Sequence, residues 1–307
     1  MSADVSAVDR PAEAVGPIAL PVRPWRPSRW MREVAWRHIV AVLACFFALF
    51  PVIWVVSASI NPTGSIAAQQ LIPREPTLDN FRELLNETSY TQWLLNSVMI
   101  AGVASALQVA LGAHAAYAFS RLRFHGRRAG LVAILLIQMF PQLLAVVAIF
   151  LMMNNIGDVF PQIGLGTQAG VILVYLGGAL SINTWMMKGF FDTIPRELDE
   201  TAKVDGASHA QIFYLVVLPL VRPVLAVIGL LAFVFAFNEF IIASALLQGS
   251  DAETLPIGLF TFIDERYGSR WGPFAAGALM GGVPIIVLFL FLQRYIISGL
   301  TAGSVKG

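Results

Sequence analysis

Two polar runs stand out in a chain otherwise too oily to wrap itself in water. One is Glu200-Thr201-Ala202-Lys203-Val204-Asp205-Gly206-Ala207; the other is the pair Asn238-Glu239, set inside an apolar stretch. Carboxylates, a hydroxyl and a turn-forming glycine suit polar contact with a partner. A carboxylate in a hydrocarbon segment marks a place that faces protein or water. Neither run has the company that covalent chemistry requires. The chain holds no His-Glu-x-x-His and no Gly-x-Ser-x-Gly, and its histidines (38, 114, 125, 209) are dispersed. The lysines, Lys188, Lys203 and Lys306, precede Gly189, Val204 and Gly307, so no phosphate-cradling loop ending in Lys-Ser or Lys-Thr exists. Cys45 is the single cysteine, which excludes an internal disulfide and a Cys-based metal cage. The residues point to contact and passage, with no catalytic site.

Those residues must be positioned by membrane-spanning elements. Of 307 residues, 57% are hydrophobic and 13% charged, and the mean hydropathy is +0.72. That is the composition of an all-α membrane protein. A net charge of +1, with arginines scattered beside apolar segments, excludes a nucleic-acid partner. Runs long enough to cross a bilayer core of about 30 Å fall at His38–Ser59, Trp93–Phe119, Ala129–Met153, Gln168–Met187, Pro223–Leu247 and Pro273–Ser298. Six spans are expected, with membrane lipid around them. Of the 20 Lys and Arg, all but Arg74, Arg82, Arg266 and Arg270 fall in the N-terminal tail, the second-to-third and fourth-to-fifth loops, and the C-terminal end. Positive flanks stay inside, so both termini are expected in the cytoplasm. The 37 residues ahead of the first span and the length of that span argue against a cleaved signal, despite Val56-Ser57-Ala58. Residues 1–36, rich in Pro, Ala and Arg, read as a disordered cytoplasmic tail, and 37–307 as the transmembrane domain.

The polar run at 200–207 lies in the loop of about residues 190–223, on the Arg-rich side. Asp192 or Thr193 can cap a first helix, Pro195 suits its first turn, and the helix runs to about Val204. Gly206 can take the left-handed conformation, Ser208 can cap a second helix, and Pro219 should interrupt it. The product is a helix-turn-helix knob. Its apolar Ile194, Leu198, Ala202 and Val204 accompany the acids Glu197, Asp199, Glu200 and Asp205, which favours docking into a groove of another protein over resting on an anionic leaflet.

Elsewhere the readings stay open. Glu239 lies about 24 Å along its helix from Pro223, where it could line an outward vestibule or make a structural hydrogen bond to a neighbouring helix. Gly102, Ala106, Ala110 and His114 share one face of the second span, and Gly277 and Gly281 one face of the sixth, spacings that let helices approach closely. Pro141 and Pro284 should kink their spans. Asn80 to Leu85 and Phe260 to Ile263 read as short amphipathic pieces lying along the outer surface.

Glu200-Thr201-Ala202, Asp205-Gly206-Ala207 and the following Leu218-Pro219 resemble the EAA loop of bacterial ABC-importer permeases, with Thr201 in place of the first alanine. Trp271 to Ala278 and the ending Gly299 to Gly307 are similar to MalG-type permeases of the maltose group, so the likeness runs over residues 38–307. It implies the type I ABC-importer permease fold, in which this loop seats in a cleft of the ATPase. It implies a MalF-type permease partner, a separate ATPase dimer that carries the ATP and Mg, and an extracytoplasmic sugar-binding protein. The substrate would be an α-glucoside such as maltose, maltodextrin or trehalose. Under it, Glu200 and Asp205 would hold polar contacts, Ala202 and Ala207 permit close approach, and Gly206 make the turn. The runner-up from the residues alone is an ion- or proton-coupled carrier using Glu239 and His114.

Overall fold

A computed structural model describes residues 34–62, 71–264 and 269–302. The tail 1–33, Arg266 and the terminal Gly303 to Gly307 lie outside the described residues. All regular elements among the described residues are helical. The chain divides into two units, residues 1–52 and 53–307. The described part of the first is mostly helix α1, Trp36–Ser59, which continues into the second unit and carries Cys45 exposed on its side.

In the second unit the connection after α1 includes α2, Asp79–Glu87, whose Asn80 donates to the carbonyls of Ser59 and Asn61 and whose Leu84 is fully buried. The long α3, Tyr90–Arg121, follows. Then come α4, Arg127–Gln138, and α5, Gln142–Val159, where a single third span was expected. Pro141 does more than kink that span: the two pieces meet at 101°. Proline lacks the N–H that the helix needs and forces the preceding residue out of the helical region. Helix α6, Gln168–Thr193, bends by 52° after Gly177.

Four helices are long and apolar enough to cross a membrane, or six if each bent pair counts as one span. Hydrogen bonds at both ends of α3 and α6 decide between these. Gln168, at the start of α6, donates to Asn96, near the start of α3 (2.8 Å). Ser120, at the end of α3, donates to Asp192, at the end of α6 (2.6 Å). The two helices are therefore parallel and matched in level. The α4–α5 pair leaves the end of α3 and arrives at the start of α6, so it must cross the full thickness in the opposite direction. This arrangement matches the count of six candidate spans.

Beyond α6 lie α7, Glu197–Val204, and α8, which runs without a stop from His209 to Asn238. The expected interruption at Pro219 does not occur. Residues Ile212–Val217 form a π-helical turn just ahead of it, where the helix absorbs the missing N–H and the bulk of the ring. The expected fifth span instead breaks at Glu239, after which α9 covers Ile241–Leu247. The piece expected at Phe260 to Ile263 is the end of helix α10, Leu255–Phe260, and the turn after it: Phe260 and Thr261 are exposed, while Phe262 is buried in the core with Leu255, Ile257 and Leu259. The last helix, α11, Trp271–Ala302, passes Pro284 unbroken. Gly277 and Gly281 do permit a close approach, since a Cβ on either would overlap Leu259 or Leu255 of α10.

Two apolar clusters fill this unit. One joins the first turns of α3 and α6 and the last turns of α8 to α9, α10 and α11 around Tyr90, Ile100 and Phe237. The other gathers Ala113, Tyr117, Met187, Phe191, Ile212, Phe213 and Val217 beneath the 190–223 loop.

Candidate functional site

The 190–223 loop folds as two helices joined by a turn at Gly206, without the expected start of the first or stop of the second. Helix α7 ends at Val204, Gly206 takes φ +84°, and Ala207 N–H donates to Ala202 O. Ser208 starts α8 with a capping box: its hydroxyl accepts from Gln211 N–H, while the Gln211 side chain accepts from Ser208 N–H. The expected caps of α7 are absent. Asp192 and Thr193 belong to the last turn of α6, where Asp192 meets Lys188 and Ser120, and Thr193 donates to Phe190 O.

Of the expected contact residues, Glu200, Thr201, Asp205 and Gly206 are exposed, as are Glu197, Leu198 and Val204. Ala202, Ala207 and Leu218 turn inward and pack on the cluster around Tyr117 and Phe213, and Pro219 is half-buried. The small side chains thus let the knob sit close on its own base. Asp199 departs from the expected acidic face: it is buried, with Oδ2 3.1 Å from Nε of Arg121, both side chains less than a tenth exposed. The pair is off hydrogen-bond alignment, and Oδ1 has no hydrogen-bond partner. Arg121 also donates to Ile194 O (2.8 Å), and Arg127 donates to Ser120 O. Sequence reading counted Arg121 only as an inside-positive flank. Its partner lies on an element distant in the chain, and no local signal announces the pairing.

Asn238 and Glu239 sit at the break between α8 and α9. Asn238 is exposed and donates back to Val234 O. Glu239 accepts from the amides of Ile242 and Ala243 and from the Tyr175 hydroxyl, each at 2.8 Å. Its carboxylate thus holds the first turn of α9, where the helix dipole favours a negative charge, and ties that turn to α6. A cleft of about 460 Å³ passes this pair, bordered by Leu143, Val146 and Phe240; another of about 360 Å³ lies between Asn238, Phe260 and Phe274. Apolar side chains line most of both, with Asn238 common to the two.

His114 is exposed on this chain, bonded to Tyr214 Oη (2.7 Å) and Ala110 O. Ala106 and Ala110 are exposed beside it, and it is His114 that brings this face of α3 against α8, through Tyr214 and the Phe213 ring. No cluster of His, Cys, Asp and Glu among the described residues could hold a metal ion.

Residues 108–301 match the family described as binding-protein-dependent transport system inner membrane component. The chain is 37% identical to the galactooligosaccharides transport system permease protein GanQ of Bacillus subtilis, over 88% of this chain and 94% of that one. It is 39% identical to the maltodextrin transport system permease protein MdxG of the same organism (88% and 95%). It is 38% identical to the maltose/maltodextrin transport system permease protein MalG of Escherichia coli (88% and 95%). Its fold is similar, at a TM-score of 0.70 and 23% identity, to a chain of a bacterial ABC transporter that imports alginate, covering 89% of this chain and 99% of that one. A chain that matches this family over most of its spans, and resembles its permeases nearly end to end, belongs to the binding-protein-dependent transport system inner membrane components.

Proposed function

We propose that this chain is one of two membrane-spanning subunits of an ATP-driven oligosaccharide importer, coupled through the knob at 197–208 to a separate ATPase. The observation that carries the reading is the knob itself, which leaves Glu200, Thr201, Asp205 and Gly206 exposed while Ala202 and Ala207 root it on a buried core. Such a surface suits a soluble protein's cleft. The family description supplies the dependence on a binding protein. Family membership sets the carrier alternative aside. The relatives' names, for galactooligosaccharides, maltodextrin and maltose, support a sugar, with α-glucosides to be tested first.

In this reading nucleotide binding closes the ATPase pair and moves the knob. The helices then rock between inward- and outward-open states while a loaded binding protein docks outside. A second permease completes the path, both termini lie in the cytoplasm, and ATP and Mg stay on the ATPase. Asn238 and Glu239 border the path at the α8–α9 break. The test is purification of the tagged chain from native membranes, with uptake competition among maltose, maltotriose, trehalose and galactobiose. Co-elution of an ATPase and competition by at least one sugar are expected; a chain that elutes without an ATPase would overturn the reading.

A further inference from the structure

We infer that Arg121 is a positioning residue for transport: its buried pairing with Asp199 is the link through which movement of the knob is passed to α3. The inference rests on the ATPase-docking reading above. Asp199 is the one buried residue of α7, and the rest of that helix faces outward or packs loosely on the base. Its carboxylate meets Arg121 with side-chain exposures of 9% and 5%, in the wall of an open cleft of about 500 Å³ that both residues line. The last turns of α3 hold the second half of the knob as well. Tyr117 Oη donates to His209 O (3.3 Å), and the Tyr117 and Phe213 rings lie 4.9 Å apart. Both halves of the knob are therefore fastened to residues 117–121 by polar contacts, beside the apolar packing of Ala202 and Ala207 on the base.

The chemistry of the link favours transmission over simple packing. A buried ion pair adds little net stability compared with an apolar contact of the same size, but losing either partner strands a charge. It therefore resists separation more than it promotes folding. Arg121 stands at the C-terminal end of α3 and Asp199 in the first turn of α7, where each helix dipole favours the charge it meets. Asp199 Oδ1 is buried without a hydrogen-bond partner, and Nε of Arg121 is off line. The pair can thus realign as the knob tilts, without letting go.

The test compares Arg121→Gln, Asp199→Asn and the exchange of Arg121→Asp with Asp199→Arg, each purified as the full complex. Hydrolysis is read with Mg·ATP and uptake with radiolabelled maltotriose in the presence of the binding protein. Each single variant should keep its ATPase and hydrolyse ATP while uptake falls about tenfold or more, and the exchange should recover much of the loss, because the opposed charges are restored. Arg121→Lys, which keeps the charge, should lie between. Unchanged uptake in the single variants would overturn the inference. So would loss of the ATPase from them, which would make the pair a docking scaffold, or an exchange no better than either single change. A wild-type complex without an ATPase would defeat the proposed function, and this inference with it.

Discussion

Glu239 shows how an ionisable side chain survives inside an apolar run. Its two oxygens accept from two amides and a hydroxyl, so burial strands nothing. Replacing it by alanine leaves the first turn of α9 without its acceptors, at a cost of about 1–3 kcal/mol. Glu239→Ala should therefore lower the melting temperature of the purified protein, and Tyr175→Phe should lower it less, since only one bond is lost. Transport separates the two readings of this residue. If Glu239 borders the path, the alanine variant also changes the uptake KM for maltotriose; unchanged uptake and sugar preference would remove it from the path and leave the structural role. Gly277 is a second point at which one residue sets the packing. A side chain there would meet Leu259, Tyr90 and Leu84, the last two fully buried, and Tyr90 Oη bonds the Gly277 carbonyl. Gly277→Val should destabilise by about 1–3 kcal/mol through overpacking, read as a lower melting temperature; an unshifted transition would show that the interface repacks freely.

At the scale of elements, the knob was legible in the sequence because its signals are local. Gly206 stops α7 and Ser208 caps α8 within a few residues of each other. Gly206→Asp forces a Cβ into a left-handed backbone, at about 1–2 kcal/mol, and adds a carboxylate beside Asp205 on the exposed face. Uptake should be lost with the chain still in the membrane at normal abundance, measured by immunoblot of membrane fractions; normal uptake would sink the coupling role of the turn. The helix breaks were less legible. Hydropathy runs straight across Glu239 because Phe240, Ile241 and Ile242 continue the apolar stretch, whereas at the break the Glu239 carboxylate accepts the amides of the following turn and Tyr175, distant in the chain, completes its hydrogen bonds. Pro219 misled in the other direction, since a proline signals a stop unless a π-helical turn ahead of it absorbs the mismatch. The Arg121–Asp199 pair was invisible for a related reason, as its partners meet only once α3 and α6 are parallel.

For the whole molecule, the number of crossings fixes on which side the knob emerges. Charge distribution alone puts Arg121 to Arg128 and Lys188 to Arg196 on one side, and the bonds from Ser120 and Arg121 to Asp192, Ile194 and Asp199 put them at one level. The bent α4–α5 pair is the weak point of a count made by hydropathy, because a 101° bend also suits a loop that enters the bilayer and returns. Were it such a loop, residues 160–167 would share a side with Arg121, and α6 would then carry the knob to the opposite side. The contact of Gln168 with Asn96 opposes this, since it holds the start of α6 at the far end of α3. Single cysteines in a Cys45→Ser background test the parity directly. Thr91→Cys, Gln162→Cys and Ala210→Cys are all at exposed positions and alter no charge. A membrane-impermeant maleimide should label positions 91 and 162 in right-side-out vesicles and position 210 only in inside-out ones. Labelling of 162 and 91 from opposite sides would make the pair re-entrant, move the knob outside, and remove the ATPase as its partner.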